Sequence, residues 1–560
     1  MREIKHLLTK AGESFSGCEH NKYPRPQLVR ESYFSLNGAW DFSVSGLFSG
    51  EIIVPFSPES LLSRVHKVFP DATPLTYKKQ FTLHQGFIKD KVILHFGAVD
   101  GICSVYLNDH LLGVHMGGYD SFSFDVTDYI NRENTIAIEV IDTLKDHTYP
   151  YGKQSYKRGG MWYTPISGIW QSVWLESVPR DYIKSLKIDT GLDFCKIYLE
   201  GATNGEVTLH LPEGDKRYPI INEYCKIKFD SPILWSPESP HLYHFTAKYA
   251  RDEIKSYFAL RKIEVDKVGG IARILLNGKP YFFNGVLDQG YFSDGIYTPA
   301  DPSEYENDIL KMKSLGFNTI RKHIKVEPEE FYYQCDRLGM VVFQDMVNNG
   351  KYSFLRDTAL PTIGIKRLSE KLLKRTDKQK NAFVDSLKKT VSQLYNHPSV
   401  CYYTIFNEGW GQFDSDKMYF TLKELDQSRI VDTNSGWFGG HTSDVESLHV
   451  YFKRVKIKES KKPIILSEFG GYSYKVSDHC ANDKKTYGYK LFKEQGAFEE
   501  ALISLYENEI IPNIKNGLCG AIYTQLSDVE DETNGFLTYD RRVCKINEQR
   551  IREVMEKLKI

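Results

Sequence analysis

At positions 400–406 seven consecutive residues are apolar, aromatic or β-branched, and the run stops abruptly at Asn407-Glu408-Gly409. A strand covered on both faces has this pattern, because a parallel sheet wrapped by helices leaves no wet face with which to alternate. A second such run, 463–468, ends in Ser467-Glu468-Phe469-Gly470. From Lys267-Val268-Gly269-Gly270 onward, short apolar runs alternate with amphipathic stretches, the texture of strands alternating with helices. The strands read as 281–286, 318–321, 340–344, 400–406, 430–434, 447–451, 463–468 and 520–525. Helices are predicted through Leu315, with Asp301 as its cap, over about 382–395 and over about 546–558. Eight strands in one C-terminal region fit a single (β/α)8 TIM barrel. The connection 345–380 is too long for an ordinary β/α loop and predicts a lid, a substrate-selecting wall or a partner contact.

The chain before the barrel has a different period. Over 36–178, runs such as 52–54, 92–96, 105–107 and 136–140 are broken by Asn-Gly, Asn-Asp and Gly-Gly turns, which predicts an all-β sandwich. A second β segment of runs such as 207–211 and 243–247 follows, with no chemistry legible in it.

Length and charge narrow the class. With 560 residues, several domains are expected. A net charge of −1 offers no electrostatic basis for nucleic acid or an anionic membrane. The nine cysteines are scattered, with no C-x-x-C pair, and read as reduced thiols. The charged N-terminus does not resemble a signal peptide and no run of 18 apolar residues occurs, so a cytoplasmic protein is expected. No H-E-x-x-H motif or Cys/His cluster calls for a metal, and no cofactor is expected.

What remains is a pair of carboxylates, Glu408 and Glu468, each at the C-terminal end of a barrel strand, where substrates sit in this architecture. They are 60 positions apart, room for two or three β/α units of roughly 30 residues each. Two carboxyl groups on different strands are what glycosidic bond cleavage requires.

Strand, then N-E, then a strand ending in S-E-F-G, with Leu287-Asp288-Gln289-Gly290-Tyr291 after the first barrel strand, resembles the family 2 glycoside hydrolases, the group holding β-galactosidases, β-glucuronidases and β-mannosidases. The stretches L-N-G-A-W-D-F from Leu36, A-V-D-G around Asp100, V-Y-L-N-D-H-L-L-G from Val105, G-G-Y at Gly117 and S-G-I-W-Q-S-V-W-L-E from Ser167 resemble that family's N-terminal jelly roll. L-W-S-P-E-S-P-H-L-Y from Leu234 and F-A-L-R-K-I from Phe258 resemble its immunoglobulin-like spacer. The resemblance implies three domains: a jelly-roll sugar-binding-type domain (1–180), an immunoglobulin-like β-sandwich (181–265) and a catalytic TIM barrel (266–560). It implies Glu408 as acid/base and Glu468 as nucleophile of a retaining mechanism. It also implies Asn407 as ligand of the sugar 2-hydroxyl or as support for Glu408, Arg321 as the cation beside the nucleophile, and Tyr451 and His449 next to it, a core histidine being the alternative for His449. Position in the barrel adds Asp288, Gln289 and Asp345 as hydroxyl ligands, and Trp410 and Trp437 as plates for sugar faces or as packing.

Three departures bear on the sugar. Six residues before Gly168, where galactoside- and glucuronide-cleaving members carry an Asp, stands Trp162, an apolar plate on the substrate side. Asn534 stands where β-glucuronidases carry the lysine that pairs with the substrate carboxylate, which disfavours that activity. Arg321-Lys322-His323 replaces the usual R-x-S-H, and the basic pair is read either as substrate ligands or as solvated. The expectation is an exo-acting retaining β-glycosidase that removes terminal sugars from an oligosaccharide or glycoside, of β-galactosidase type. A β-mannosidase, an α-L-arabinopyranosidase-like enzyme and an inactive carbohydrate-binding protein are the alternatives, with homo-oligomer formation left open.

Overall fold

The computed structural model describes residues 4–362, 370 and 375–560. The period-two stretch folds as predicted into two facing antiparallel sheets of six and four strands with a short two-stranded pair. In the strand Glu133–Ile141 the inward positions Asn134, Ile136, Ile138 and Val140 are buried while their neighbours are more open, so one face is core and the other wet. Trp40, Phe42, Leu94, Val105 and Leu175 meet them between the sheets, forming the jelly roll. The next seven strands, from Ser185–Thr190 to Asp252–Phe258, form one antiparallel sheet closed over Cys195, Ile197, Val207, Leu209 and Phe245, the immunoglobulin-like unit.

The barrel strands are β1 (Phe283–Asp288), β2 (Thr319–Lys322), β3 (Val341–Asp345), β4 (Val400–Asn407), β5 (Ile430–Ser435), β6 (Glu446–Val450), β7 (Ile464–Gly470) and β8 (Leu518–Thr524). They are parallel and lie in the order β5-β4-β3-β2-β1-β8-β7-β6. Ser447 bridges the remaining gap, its hydroxyl donating to Asp432 (2.9 Å) and to the Asn434 carbonyl (3.2 Å). Alternate residues go to different cores, which is why the runs look continuous. Phe283, Phe343, Tyr402 and Ile465 fill the interior, whereas Val286, Val342, Tyr403 and Leu466 pack under the helices.

Local caps shift the predicted ends. The helix Ser303–Ser314 has Pro302 at its N-cap position, and Asp301 assists by accepting the Ser303 amide at 2.8 Å. The helix Asp377–Leu394 starts earlier than expected because Thr376 and Gln379 form a reciprocal capping box. The last helix is shorter, Glu548–Met555, capped by Asn547. Of the 345–380 connection, Leu355–Ala359 and Leu360–Thr362 are helical, while 363–369 and 371–374 lie outside the described residues.

Buried polar ties join the three parts. Arg30 reaches Glu176 of the jelly roll and Asp252 of the middle unit, each at 2.9 Å. Asp336 of the barrel accepts from Tyr257 (2.7 Å) and the Ser399 amide (2.8 Å), and contacts His397 (2.7 Å). The jelly-roll segment after Thr148 lies over the C-terminal end of the barrel: Tyr151 donates to the Gly350 carbonyl (2.9 Å), and the Thr164 amide donates to Glu530 (2.7 Å). No described helix is long and apolar enough to cross a membrane, and all nine cysteines are free.

Candidate active site

Glu468, near the end of β7, is buried and held from three sides. Arg321 Nη1 donates to Oε1 at 3.1 Å, the Tyr451 hydroxyl donates to Oε2, and His449 Nε2 lies 3.6 Å from Oε1. Burial alone pushes the carboxyl up; the contacts with His449, the Arg321 guanidinium and Lys153 outweigh it and hold Glu468 at about 2. It is therefore ionised at any ordinary pH.

Glu408 follows the last residue of β4. Its φ of 53° is left-handed, as is Gly409 at 73°, and its amide donates to the Ser435 carbonyl at 2.9 Å. This tight exit turns a partly exposed carboxylate into the cleft, where Oε1 is 2.8 Å from His449 Nδ1. Carboxylate oxygens of Glu408 and Glu468 approach within 4.8 Å. A direct nucleophile needs carboxyl groups about 5–5.5 Å apart, whereas room for an intervening water needs about 6.5–9.5 Å.

Arg321, at the end of β2, organises this floor. Its Nε and Nη2 engage Asp345 (3.0 and 2.9 Å), Nη1 reaches Glu468 and the Ser467 carbonyl, and Nη2 donates to Asn407 Oδ1 at 2.7 Å. Because Asn407 Oδ1 accepts from the guanidinium, its Nδ2 is left to face the cleft as a donor. Burial, with the Lys153 charge, pushes His323 down to about 4, so its neutral ring donates to Asp345 (2.6 Å) and keeps one nitrogen as an acceptor.

The cleft encloses about 540 Å³ with its mouth, and Gln289, His323, Asn407, Glu408, Trp410, Tyr451 and Glu468 line it. Other predicted ligands lie outside this lining. Asp288 is paired with Lys322 and caps the Gly290 amide (2.8 Å); Asp345 lies under Arg321 and His323. Each is engaged by a buried cation, which holds it below the floor. Trp162 packs edge-to-face with Trp410 (5.2 Å) and Tyr352 (5.1 Å), two residues of the cleft lining. Trp437 packs edge-on against His449 at 5.5 Å. The basic pair separates: His323 lines the cleft, and Lys322 is buried between Asp288 and Glu327.

Sequence reasoning missed Lys153 and Met161 from the jelly roll, Tyr352 from the long connection, Tyr489, Thr524 and Glu532. Tyr489 stacks on Tyr451 at 3.8 Å and steadies it. None sits at a predicted strand end except Thr524, the last residue of β8, and position along the chain gave no signal for the rest. Gln289 Nε2 and Asn534 Nδ2 are buried donors with no partner among the described residues. Glu532 accepts from Gln525 (2.7 Å); burial, partly offset by Lys153, raises its carboxyl to about 6. Among the described residues Glu408, His449 and Glu468 form one group with metal-type donor atoms, but their contacts with one another and with Arg321 and Tyr451 make a hydrogen-bonded set.

Known proteins match along most of the chain. The model described as "Glycosyl hydrolases family 2, TIM barrel domain" matches residues 267–560, that of the family 2 "sugar binding domain" residues 64–179, and "Glycosyl hydrolases family 2" residues 192–261. A β-galactosidase of Thermoanaerobacter pseudethanolicus is 24% identical over 444 residues, covering 72% of this chain and 54% of its own. A putative β-glucuronidase of Formosa agariphila is 25% identical over 457 residues, covering 72% and 51%. The chain thus spans about half the length of these curated relatives. Among solved structures, a β-D-glucuronidase of Dictyoglomus thermophilum superposes with a TM-score of 0.76 at 18% identity, covering 96% of this chain and 99% of that one. A β-galacturonidase of Eisenbergiella tayi, bound to galacturonate, gives 0.69 at 19% identity, covering 96% and 100%. At these identities the structural likeness speaks for the fold.

Proposed function

The chain belongs to glycoside hydrolase family 2, and from that premise we propose that it is an exo-acting retaining β-glycosidase of β-galactosidase type. The observation that carries the reading is the approach of the Glu408 and Glu468 carboxylates to within 4.8 Å, one partly exposed and the other held at about 2. Glu408 protonates the departing glycosidic oxygen while Glu468 bonds to the anomeric carbon; water, deprotonated by Glu408, then displaces Glu468. Asn407 Nδ2 donates to the 2-hydroxyl, fixed for that task by the Arg321 contact at Oδ1. Arg321 and Tyr451 receive the charge that returns to Glu468 when it leaves.

A neutral sugar suits the rest of the cleft. Gln289 Nε2, Asn534 Nδ2 and Lys153 are donors, and Glu532 and His323 are acceptors, an alternation that suits hydroxyl groups. A hexuronidase is the second reading. Lys153, whose ammonium lies 5.9 Å from the Tyr163 ring and forms no ion pair among the described residues, favours it. Glu532, whose charge is felt by the same lysine, opposes it. β-Mannosidase and α-L-arabinopyranosidase activities use the same floor and differ only in these walls.

Hydrolysis of nitrophenyl β-galactoside, β-glucoside, β-mannoside, β-glucuronide, β-galacturonide and α-L-arabinopyranoside by wild type and Glu468→Ala tests the reading. The β-galactoside is expected to be the best substrate, with loss of about 10⁴-fold or more in kcat for Glu468→Ala. A preferred uronide would transfer the glycone assignment to Lys153. An active Glu468→Ala would remove the mechanism.

A further inference from the structure

The acid/base carboxylate has a partner whose orientation is fixed from behind. His449 is buried at the end of β6, and its two ring nitrogens face different neighbours. Nδ1 is 2.8 Å from Glu408 Oε1, and Nε2 is 3.0 Å from Ser435 Oγ. Ser435 donates its hydroxyl to Ser467 Oγ at 2.8 Å, and Ser467 donates to the Leu448 carbonyl at 3.4 Å. A carbonyl only accepts, so the chain has one direction. Both serine protons point away from the imidazole, and Ser435 Oγ is left to accept from Nε2–H. The proton on Nε2 is thereby fixed, and Nδ1 is the nitrogen that meets Glu408.

We propose that His449 is the positioning residue for the catalytic proton: Glu408 and His449 hold one proton between Oε1 and Nδ1, and the Ser435–Ser467 chain confines exchange to that contact. The proposal rests on the glycosidase reading above and assigns a proton source within it. In glycosylation the shared proton goes from Glu408 to the departing oxygen as the glycosidic bond breaks and Glu468 bonds to carbon. The pair is then an ionised carboxylate beside a neutral imidazole that retains Nε2–H. In the second half, Glu408 takes a proton from the attacking water as the bond to Glu468 breaks, and the pair is restored.

Among the described residues no other base is so placed. Glu408 faces the phenols of Tyr352, Tyr451, Tyr487 and Tyr489, all pushed up by burial, together with Glu468. On its other side His449 faces Asp432 and the Trp437 ring, and Glu468 at 3.6 Å. Asp432 is engaged by Ser447, and Glu468 by Arg321 and Tyr451.

The test compares leaving groups and pH profiles for His449→Phe, His449→Gln and Ser435→Ala, using phenyl and 2,4-dinitrophenyl glycosides of the sugar that wild type prefers. Phenoxide needs the proton and dinitrophenoxide does not. The expected result for His449→Phe is a loss of about 10²-fold in kcat/KM on the phenyl glycoside, against ~3-fold or less on the dinitrophenyl one. The alkaline limb of the phenyl profile is expected to move toward lower pH by about one unit, with a smaller shift in the same direction for Ser435→Ala. His449→Gln, which keeps hydrogen bonds but holds no proton, is expected to follow the phenylalanine variant. Equal losses on both leaving groups with an unmoved alkaline limb mean that His449 only packs, and overturn the proposal. Should the phenylalanine variant fail to fold, the same comparison in the other two decides. A wild type inactive on every glycoside, or an active Glu468→Ala, marks the failure of the underlying reading instead.

Discussion

A carboxylate's task here depends on which charges reach it. Glu468 and Glu532 border one cleft, yet His449 and Arg321 hold the first at about 2 while burial raises the second to about 6. The acid limb of kcat/KM is therefore expected to follow Glu532. Below about pH 6 it takes up a proton and ceases to be an ionised acceptor, whereas Glu468 stays ionised until far lower pH. Activity is expected to fall as pH drops through 6 in wild type, and Glu532→Gln is expected to flatten that limb while lowering kcat/KM at neutral pH by about 10-fold. A limb that persists unchanged in the variant would assign it to another group. The same residue-level logic explains why Asp288 and Asp345 do not line the cleft: Lys322 and Arg321, fully buried themselves, engage them below it.

At the scale of the element, the strand exit matters more than the strand. β4 delivers Asn407 in extended backbone, and Glu408 and Gly409 then turn left-handed, which aims Glu408 at His449. A Cβ on Gly409 would stand 2.0 Å from Phe438 Cδ2 in a conformation costly for any side chain. Gly409→Ala is expected to lose about 1–3 kcal/mol of stability. It is also expected to lower kcat on phenyl glycosides more than on dinitrophenyl ones, since it displaces Glu408, the proposed acid, rather than Glu468. Thermal melts and the two substrates check this, and equal losses on both would contradict it. Helix ends follow ordinary capping chemistry, so their errors were small and had visible causes: Thr376 with Gln379, Asp301 beside Pro302, and Asn547.

For the whole molecule, the cleft is a joint product of the jelly roll and the barrel, and it keeps its shape only if the three parts stay docked. Arg30 ties the jelly roll to the middle unit, buried with Glu176, Asp252 and the Ile183 carbonyl (2.5 Å) around it. Removing this cation takes the ion-pair partner from buried Asp252, while Glu176 keeps Arg25, so Arg30→Ala is expected to cost about 3–5 kcal/mol in denaturant unfolding. A change below about 1 kcal/mol would mean that the joint is as weak as a surface pair. The docking also explains Lys153, which lies in a jelly-roll loop far from the barrel in sequence yet borders the same cleft as Glu468.

The sequence by itself determined the three β and β/α textures, the eight barrel strands to within a few residues, and the two carboxylates at strand ends, because periodicity and strand termini are local properties that each segment carries alone. It also marked Arg321, Asn407 and Tyr451 through resemblance, and the structure brings all three around Glu468. Only the tertiary structure decided which strand-end residues are engaged below the floor and which face the cleft. It also brought in Lys153, Tyr489 and Glu532 from loops, and directed the His449 hydrogen bonds through Ser435 and Ser467. Those outcomes depend on charge pairing and approach between segments distant along the chain, and no local pattern encodes which partner a side chain will meet.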